Sequence, residues 1–221
     1  MSALLTVAAA RLLRSDQVCL ALPGLPLAAA RLARATHAPG LTIVEADGRV
    51  DGVLAGLAEL HAWLQTGRVD VGVLTAAQVD LLGNLGDTVL GEYDDPTARL
   101  AGAGLSAAVA AHARETVVVL PHRLHSFVDR VDFVTAVGFG TGPVDRAALG
   151  LPGGGPLAVV TDLGVLRPDP ATAELVLTDL HPGVTVEQVR AETGWELEVA
   201  EDPVTTAEIT AAEHEASRSS A

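Results

Sequence analysis

Apolar positions along the chain switch between two spacings. Leu5, Ala8, Ala9 and Leu12 fall at i, i+3, i+4 and i+7, one face of a helix. Residues 17–22 are then a short apolar run closed by Pro23-Gly24, which reads as a buried strand. Leu25, Ala28, Ala29 and Leu32 return to helical spacing until Pro39-Gly40, and residues 41–44 give the next strand. Val53, Gly56, Leu57, Leu60 and Leu64 predict a third helix ending at Gly67, followed by a strand over 69–74. Further strands are expected over 116–120, 132–136, 157–161 and 175–180. The run 151–156, Leu-Pro-Gly-Gly-Gly-Pro, reads as a surface turn or flexible loop. Thr185 with Gln188 three residues on forms a capping box, with Gly194 as the C-cap of that helix. A last helix is expected over about 206–215, with 217–221 frayed.

Strands separated by helices of this length make βαβ units. The predicted fold is therefore α/β, an open, mainly parallel sheet with helices on both faces. Right-handed crossovers collect the C-terminal ends of the strands, and the loops after them, on one edge. Chemistry is expected there. The 221 residues suit a single domain over 1–221, and neither a repeat nor a linker divides them.

Composition narrows the chemistry. A net charge of −14 argues against nucleic acid or an anionic membrane as a partner. All 14 basic residues are arginine. Without lysine there is no Schiff base, no pyridoxal phosphate anchor and no P-loop. The same absence counts against sugar-phosphate chemistry of the ribose-5-phosphate isomerase type. Cys19 stands alone, so neither an intrachain disulfide nor a cysteine-based metal site is expected. No charged-then-apolar leader opens the sequence, and no apolar run reaches the roughly 18 residues of a membrane span. The expected compartment is cytoplasmic.

Residues 75–96 are the most punctuated stretch, with Gly83, Asn84, Gly86 and Gly91 within nine residues. A glycine loop, Gly102-Ala-Gly-Leu-Ser106, follows shortly after. Dense glycines let backbone amides approach a ligand closely, although a plain hairpin loop fits the same pattern. Ala77-Gln-Val-Asp-Leu-Leu-Gly-Asn84 through Gly91, the Gly-x-Gly loop and Thr116-Val-Val-Val-Leu-Pro-His122 together resemble class I CoA-transferase β subunits. Glutaconate and 3-oxoacid CoA-transferases are namesakes of this kind. The likeness continues through residues 127–135, Val160-Thr-Asp-Leu-Gly-Val165, Leu180-His-Pro-Gly-Val-Thr-Val-Glu-Gln-Val-Arg190 and Thr193-Gly194, in the family's order.

The resemblance implies the CoA-transferase fold, related to that of the sugar-phosphate isomerases. It also implies an acyl-CoA thioester as substrate, no permanently bound cofactor, and a separate α subunit in a heterodimer or heterotetramer. Class I members carry a Glu-x-Gly motif whose glutamate attacks the thioester, forming a mixed anhydride and then an enzyme-CoA thioester. Here the corresponding stretch is Val44-Glu-Ala-Asp-Gly48. Matching Gly48 to the motif glycine puts Ala46 at the glutamate, and alanine cannot act as a nucleophile. Glu45 and Asp47 flank it as candidate catalytic carboxylates, with a solvated turn as the plain alternative. The chain also resembles steroid ring-opening acyl-CoA hydrolase subunits, whose catalytic carboxylate belongs to the other subunit. The expected function is therefore a hydrolase- or lyase-like subunit acting on acyl-CoA thioesters, because Ala46 replaces the family glutamate; the alternatives are an ordinary transferase using Glu45 or Asp47 and a non-catalytic scaffold for an α partner.

The candidate CoA- and substrate-binding residues are Gln78, Asn84, Gly102, Gly104, Leu105 and Ser106. Amides at the start of the helix opened by Gly102-Ala-Gly-Leu-Ser106 suit a thioester oxyanion. The family continues this loop with Asn-Asp, where Ala107-Ala108 stand here. Gly102-x-Gly104-x-x-Ala107 matches a dinucleotide fingerprint but follows no strand, and Gly104-Leu-Ser106-Ala-Ala108 lacks the last glycine of a nucleophile elbow. Ser106 is therefore not expected to be a nucleophile. Gln78 and Asn84 suit an acyl group or pantetheine, or else the turn's own backbone. His122 and His125 read as structural or surface residues rather than metal ligands, and His181 as a turn residue.

Overall fold

The structure is a computed structural model that describes residues 2–54, 56–100 and 104–219. Helix α1 (Ser2–Ala10), strand β1 (Val18–Ala21), helix α2 (Leu25–Thr36) and strand β2 (Thr42–Glu45) open the chain as the apolar spacing predicts. A hairpin of β3 (Arg49–Val50) and β4 (Val53–Leu54) comes next, then α3 (Leu57–Gln65) and β5 (Val71–Leu74). Val53 thus belongs to a strand, not to the third helix. Asp51 and Gly52 both have positive φ (48° and 83°), the two-residue turn that pairs Val50 with Val53.

Short strands β6 (Gln78–Val79), β7 (Leu85–Gly86), β8 (Val89–Gly91) and β9 (Pro96–Arg99) form two small hairpins off the end of β5. Helix α4 (Ser106–His112) leads into β10 (Glu115–Val119). After α5 (Asp145–Ala148) come β11 (Pro156–Val160), β12 (Gly164–Pro168), β13 (Leu175–Leu180), α6 (Val186–Ala191), β14 (Val199–Thr205) and α7 (Ala211–Ser219).

Ten strands among the described residues make one sheet, ordered β14-β13-β12-β11-β10-β5-β1-β2-β3-β4. Its centre, β11-β10-β5-β1-β2, is parallel. β12 runs antiparallel to both neighbours, and β3 and β4 are antiparallel at the other margin. Strand alternation divides the core. Cys19, Ala21, Ile43, Val71, Val73, Val117 and Val119 pack against α1 and α2, whereas Leu20, Val44, Leu74, Val118 and Val159 face α3 and α4. Helices cover both faces, as a parallel sheet requires. Gly72 lets α4 close on β5, since a Cβ there would overlap Val109 Cγ1.

Four expectations change. Residues 132–134 form no strand, and only Ala136 bridges to Leu85, while Asp132 turns its carboxylate onto Gln78 of β6 and Gly91 of β8. The 151–156 run is a packed crossing rather than a flexible loop. Gly153 and Gly154 donate to Ala111 O and Arg114 O, with no room for a Cβ. The capping box at Thr185 and Gln188 is present, but α6 ends at Ala191 with Glu192 as C-cap. Gly194 instead donates to Phe127 O, where a Cβ would sit 2.6 Å from that oxygen. The last helix starts at Ala211 and includes residue 217, because 199–205 extend the sheet.

Candidate active site at the strand ends

Strands β1, β2, β5, β10 and β11 all deliver their C-terminal ends to one edge, where open α/β sheets bind ligands. Glu45 is the last residue of β2, in register with Ala21 of β1. The chain turns at once, with Gly48 N–H donating to Glu45 O at 2.9 Å. The Glu45 side chain is only 16% exposed, and Arg31 Nη2 of α2 stands 3.3 Å from both carboxylate oxygens. Ala46 and Asp47 lie in the turn. Asp47 is half exposed and committed to Arg49, by an ion pair of 2.7 Å and by accepting its backbone N–H.

Helix α4 packs on β5 and β10 and runs back toward the start of β10, which puts its N-terminus at the same edge. Gly104 (φ 43°), half-buried Leu105 and buried Ser106 lead into it; Gly102 lies outside the described residues. First-turn amides have no partner within a helix and carry its positive dipole end, so they suit developing negative charge.

The two amide candidates serve the fold. Asn84 Nδ2 donates to Asp80 Oδ2 (3.0 Å) and Gly140 O (2.8 Å), and Asn84 Oδ1 accepts from Gly138 N (2.9 Å) and Gly140 N (3.0 Å). Both donors and both lone pairs are spent, so nothing remains for a ligand. Asp80 also takes the backbone N–H groups of Leu82 and Asn84, and burial raises its pKa against those bonds. Gln78 exchanges two hydrogen bonds with Asp132, at 2.9 and 3.1 Å. It also lines a cavity of about 420 Å³ at the end of β5 with Ala76, Leu90, Thr97 and His125.

At the end of β10, His122 is fully buried. It stacks on Phe127 at 3.7 Å, with Nε2 3.0 Å from Thr193 Oγ1, and burial lowers its pKa to about 4. Asp162, just past β11, accepts the His122 N–H at 2.7 Å and pairs with Arg123 at 3.0 Å. Burial pushes Asp162 up, but those bonds outweigh it and hold it below the ordinary carboxylate range. His181 lies between Thr206 Oγ1 (2.7 Å) and Thr161 O (2.8 Å), tying β14 to the end of β11. His125 is exposed. Among the described residues no three His, Cys, Asp or Glu side chains gather as a metal site, and no helix is long and apolar enough to cross a membrane.

Sequence reasoning missed Arg31, Arg123 and Asp162. A polar residue directly after a parallel strand was the available signal for Asp162. Arg31 becomes visible only once α2 lies over the end of β2.

Residues 49–192 match the Coenzyme A transferase family. The chain is 43% identical over 235 positions to the B-type subunit of 3-oxoadipate CoA-transferase from Pseudomonas knackmussii, covering 97% of this chain and 90% of the relative. Identity to the B-type subunit of glutaconate CoA-transferase from Acidaminococcus fermentans is 30%, over 88% of this chain and 82% of that one. The crystal structure of that organism's glutaconate coenzyme A-transferase superposes with a TM-score of 0.88 at 26% identity, over 97% and 91% of the two chains. A cholesterol ring-cleaving hydrolase IpdB subunit of Rhodococcus jostii is 29% identical, over 84% and 77%. With a strand-end carboxylate and a helix N-terminus each placed at the same sheet edge of a fold that these proteins share, the chain belongs to the Coenzyme A transferase family.

Proposed function

We propose that this chain is the Glu45-bearing subunit of a heteromeric CoA-transferase, which moves CoA from an acyl-CoA thioester to a second carboxylic acid. Glu45 carries the reading. It is a sheltered carboxylate ending a strand at the ligand edge, on a chain 43% identical to a B-type CoA-transferase subunit. The strand end is a firmer anchor for the motif than Gly48, so the glutamate is Glu45, and Ala46-Asp47 fill the turn.

The Glu45 carboxylate adds to the thioester carbonyl, and CoA thiolate leaves to give an acyl-glutamyl anhydride. The thiolate then attacks the glutamyl carbonyl, releasing the first acid and forming an enzyme-CoA thioester. The second acid's carboxylate reverses both steps. Carboxylate and thiolate are each competent nucleophile and leaving group, which keeps the exchange reversible. The similar transferase chains are B-type, so an A-type partner completes the enzyme. With a net charge of −14 here, that partner supplies positive potential for the CoA phosphates.

The similarity to a ring-cleaving hydrolase favours one second reading, in which a partner carboxylate directs water and Glu45 is a bystander. Intact-mass analysis of the complex after incubation with acyl-CoA separates the two. Transfer requires a CoA adduct on this chain mapped to Glu45, lost in Glu45→Gln together with roughly three or more orders of magnitude in exchange rate. Thioester hydrolysis without any adduct, unchanged in Glu45→Gln, would establish the hydrolase.

A further inference from the structure

Helices α1, α2 and α7 border a solvent-open cavity of about 710 Å³ on the sheet face opposite α3 and α4. Leu25, Leu27 and Ala28 of α2 line it with apolar surface, and Arg31, His214 and Arg218 line it with nitrogen donors. Among the described residues no Asp or Glu lines it. In a chain with 28 acidic and 14 basic residues, two guanidiniums around one cavity run against the overall charge.

Arg31 meets Glu45 through Nη2 alone, at a long 3.3 Å, so most of its five N–H groups are uncommitted. A planar fork with free donors suits a carboxylate bidentately. The volume falls within the range of small-molecule pockets, which pair an apolar wall with a few convergent polar groups.

We propose that this cavity binds a small aliphatic carboxylate, its chain against Leu25, Leu27 and Ala28 and its carboxylate on Arg31 and Arg218. A phosphate gains nothing from the apolar wall. The phosphates of CoA, moreover, are a pantetheine arm away from the thioester carbon that Glu45 attacks, whereas Arg31 touches Glu45. A bound carboxylate draws the Arg31 fork away from Glu45 and so couples occupancy to the reactive group. That consequence rests on the proposed function; the binding does not.

Calorimetric titration of hexanoate into the full chain, without thioester or partner, tests the binding whatever the enzyme's activity. Hexanoate is expected to bind saturably and the neutral hexanamide not to bind. Arg218→Gln, which removes a donor, and Ala28→Phe, which fills the cavity, should each weaken hexanoate about tenfold or more. Thermal melts confirm that each variant is folded, and either suffices if the other is not. Absent hexanoate binding, equal binding of hexanamide, equal competition by inorganic phosphate, or full affinity in the folded variants overturns the proposal. None of these results alters the Glu45 adduct experiment.

Discussion

Arg146 draws three separate segments of the chain together. It is 6% exposed and donates through Nε to Gly153 O (3.0 Å), through Nη1 to Val137 O (3.0 Å) and Gly138 O (2.7 Å), and through Nη2 to Ala110 O (2.9 Å). Burial lowers its pKa, yet a guanidinium stays protonated well above neutrality. Arg146→Met would leave four carbonyls without donors in a site closed to water, with an expected loss of roughly 3–5 kcal/mol in urea unfolding. Arg146→Lys should recover only part of this, because a point charge with three donors cannot span four acceptors. A loss under about 1 kcal/mol for the methionine variant would mean that water replaces the guanidinium. Nothing in the sequence marked this role, since an arginine near glycines and an aspartate reads as solvated. Glu45 and Asp47 were both legible as candidates, but that one ends β2 against Arg31 while the other sits in the turn on Arg49 is a three-dimensional fact.

At the scale of elements, the buried strands and the long helices were legible because burial imposes a period that local sequence must obey. Strand 175–180 is the clearest instance, and the Thr185 capping box was legible for a different reason, a local hydrogen-bond motif at fixed spacing. The short hairpins were not. Strands β6 to β9 are two to four residues long, too short to show an alternation, and β14 alternates only weakly because most of it is exposed. The segment 132–136 failed for another reason, since its apolar residues Phe133 and Val134 are exposed while Asp132 ties down Gln78 and Gly91. Close approach, rather than pattern, holds this region together. A Cβ on Gly138 would overlap Gly83 O and Leu82 O, backbone atoms that cannot swing away. Gly138→Ala must therefore part the two segments that Asn84 joins, costing roughly 2 kcal/mol or more in urea unfolding. Thr185→Ala, which removes a single cap at an exposed helix start, should cost only about 1 kcal/mol. Equal losses in the two variants would show that the 82–84 and 138–140 segments tolerate separation.

Across the whole molecule, the response to acid follows from which groups burial has disarmed. His122 joins the ends of β10 and β11 to the α6 end through Thr161 and Thr193, and its pKa is lowered from 6.5 to about 4 by burial. His181, which ties β14 to β11, is lowered in the same sense. The unfolded chain takes up a proton at His122 below pH 6.5, whereas the folded chain resists until about 4. Unfolding therefore binds protons in that window, and stability rises with pH across it. The His122 contribution is complete above 6.5 and falls away as pH drops toward 4, by roughly 3 kcal/mol in all. Glu213, held down to about 2 by Arg11, acts in the same direction at lower pH. Asp80 opposes them: with its folded pKa raised by burial, its contribution is full in strong acid and lost as pH rises through that folded value. The midpoint of thermal unfolding should fall steeply between pH 6.5 and 4.5 in the native chain. His122→Gln gives up the stacking on Phe127, so it should melt lower at pH 7.5, yet its midpoint should fall less steeply with acid. An unchanged slope in that variant would move the acid sensitivity from the β10–β11 junction to His181 and the surface carboxylates.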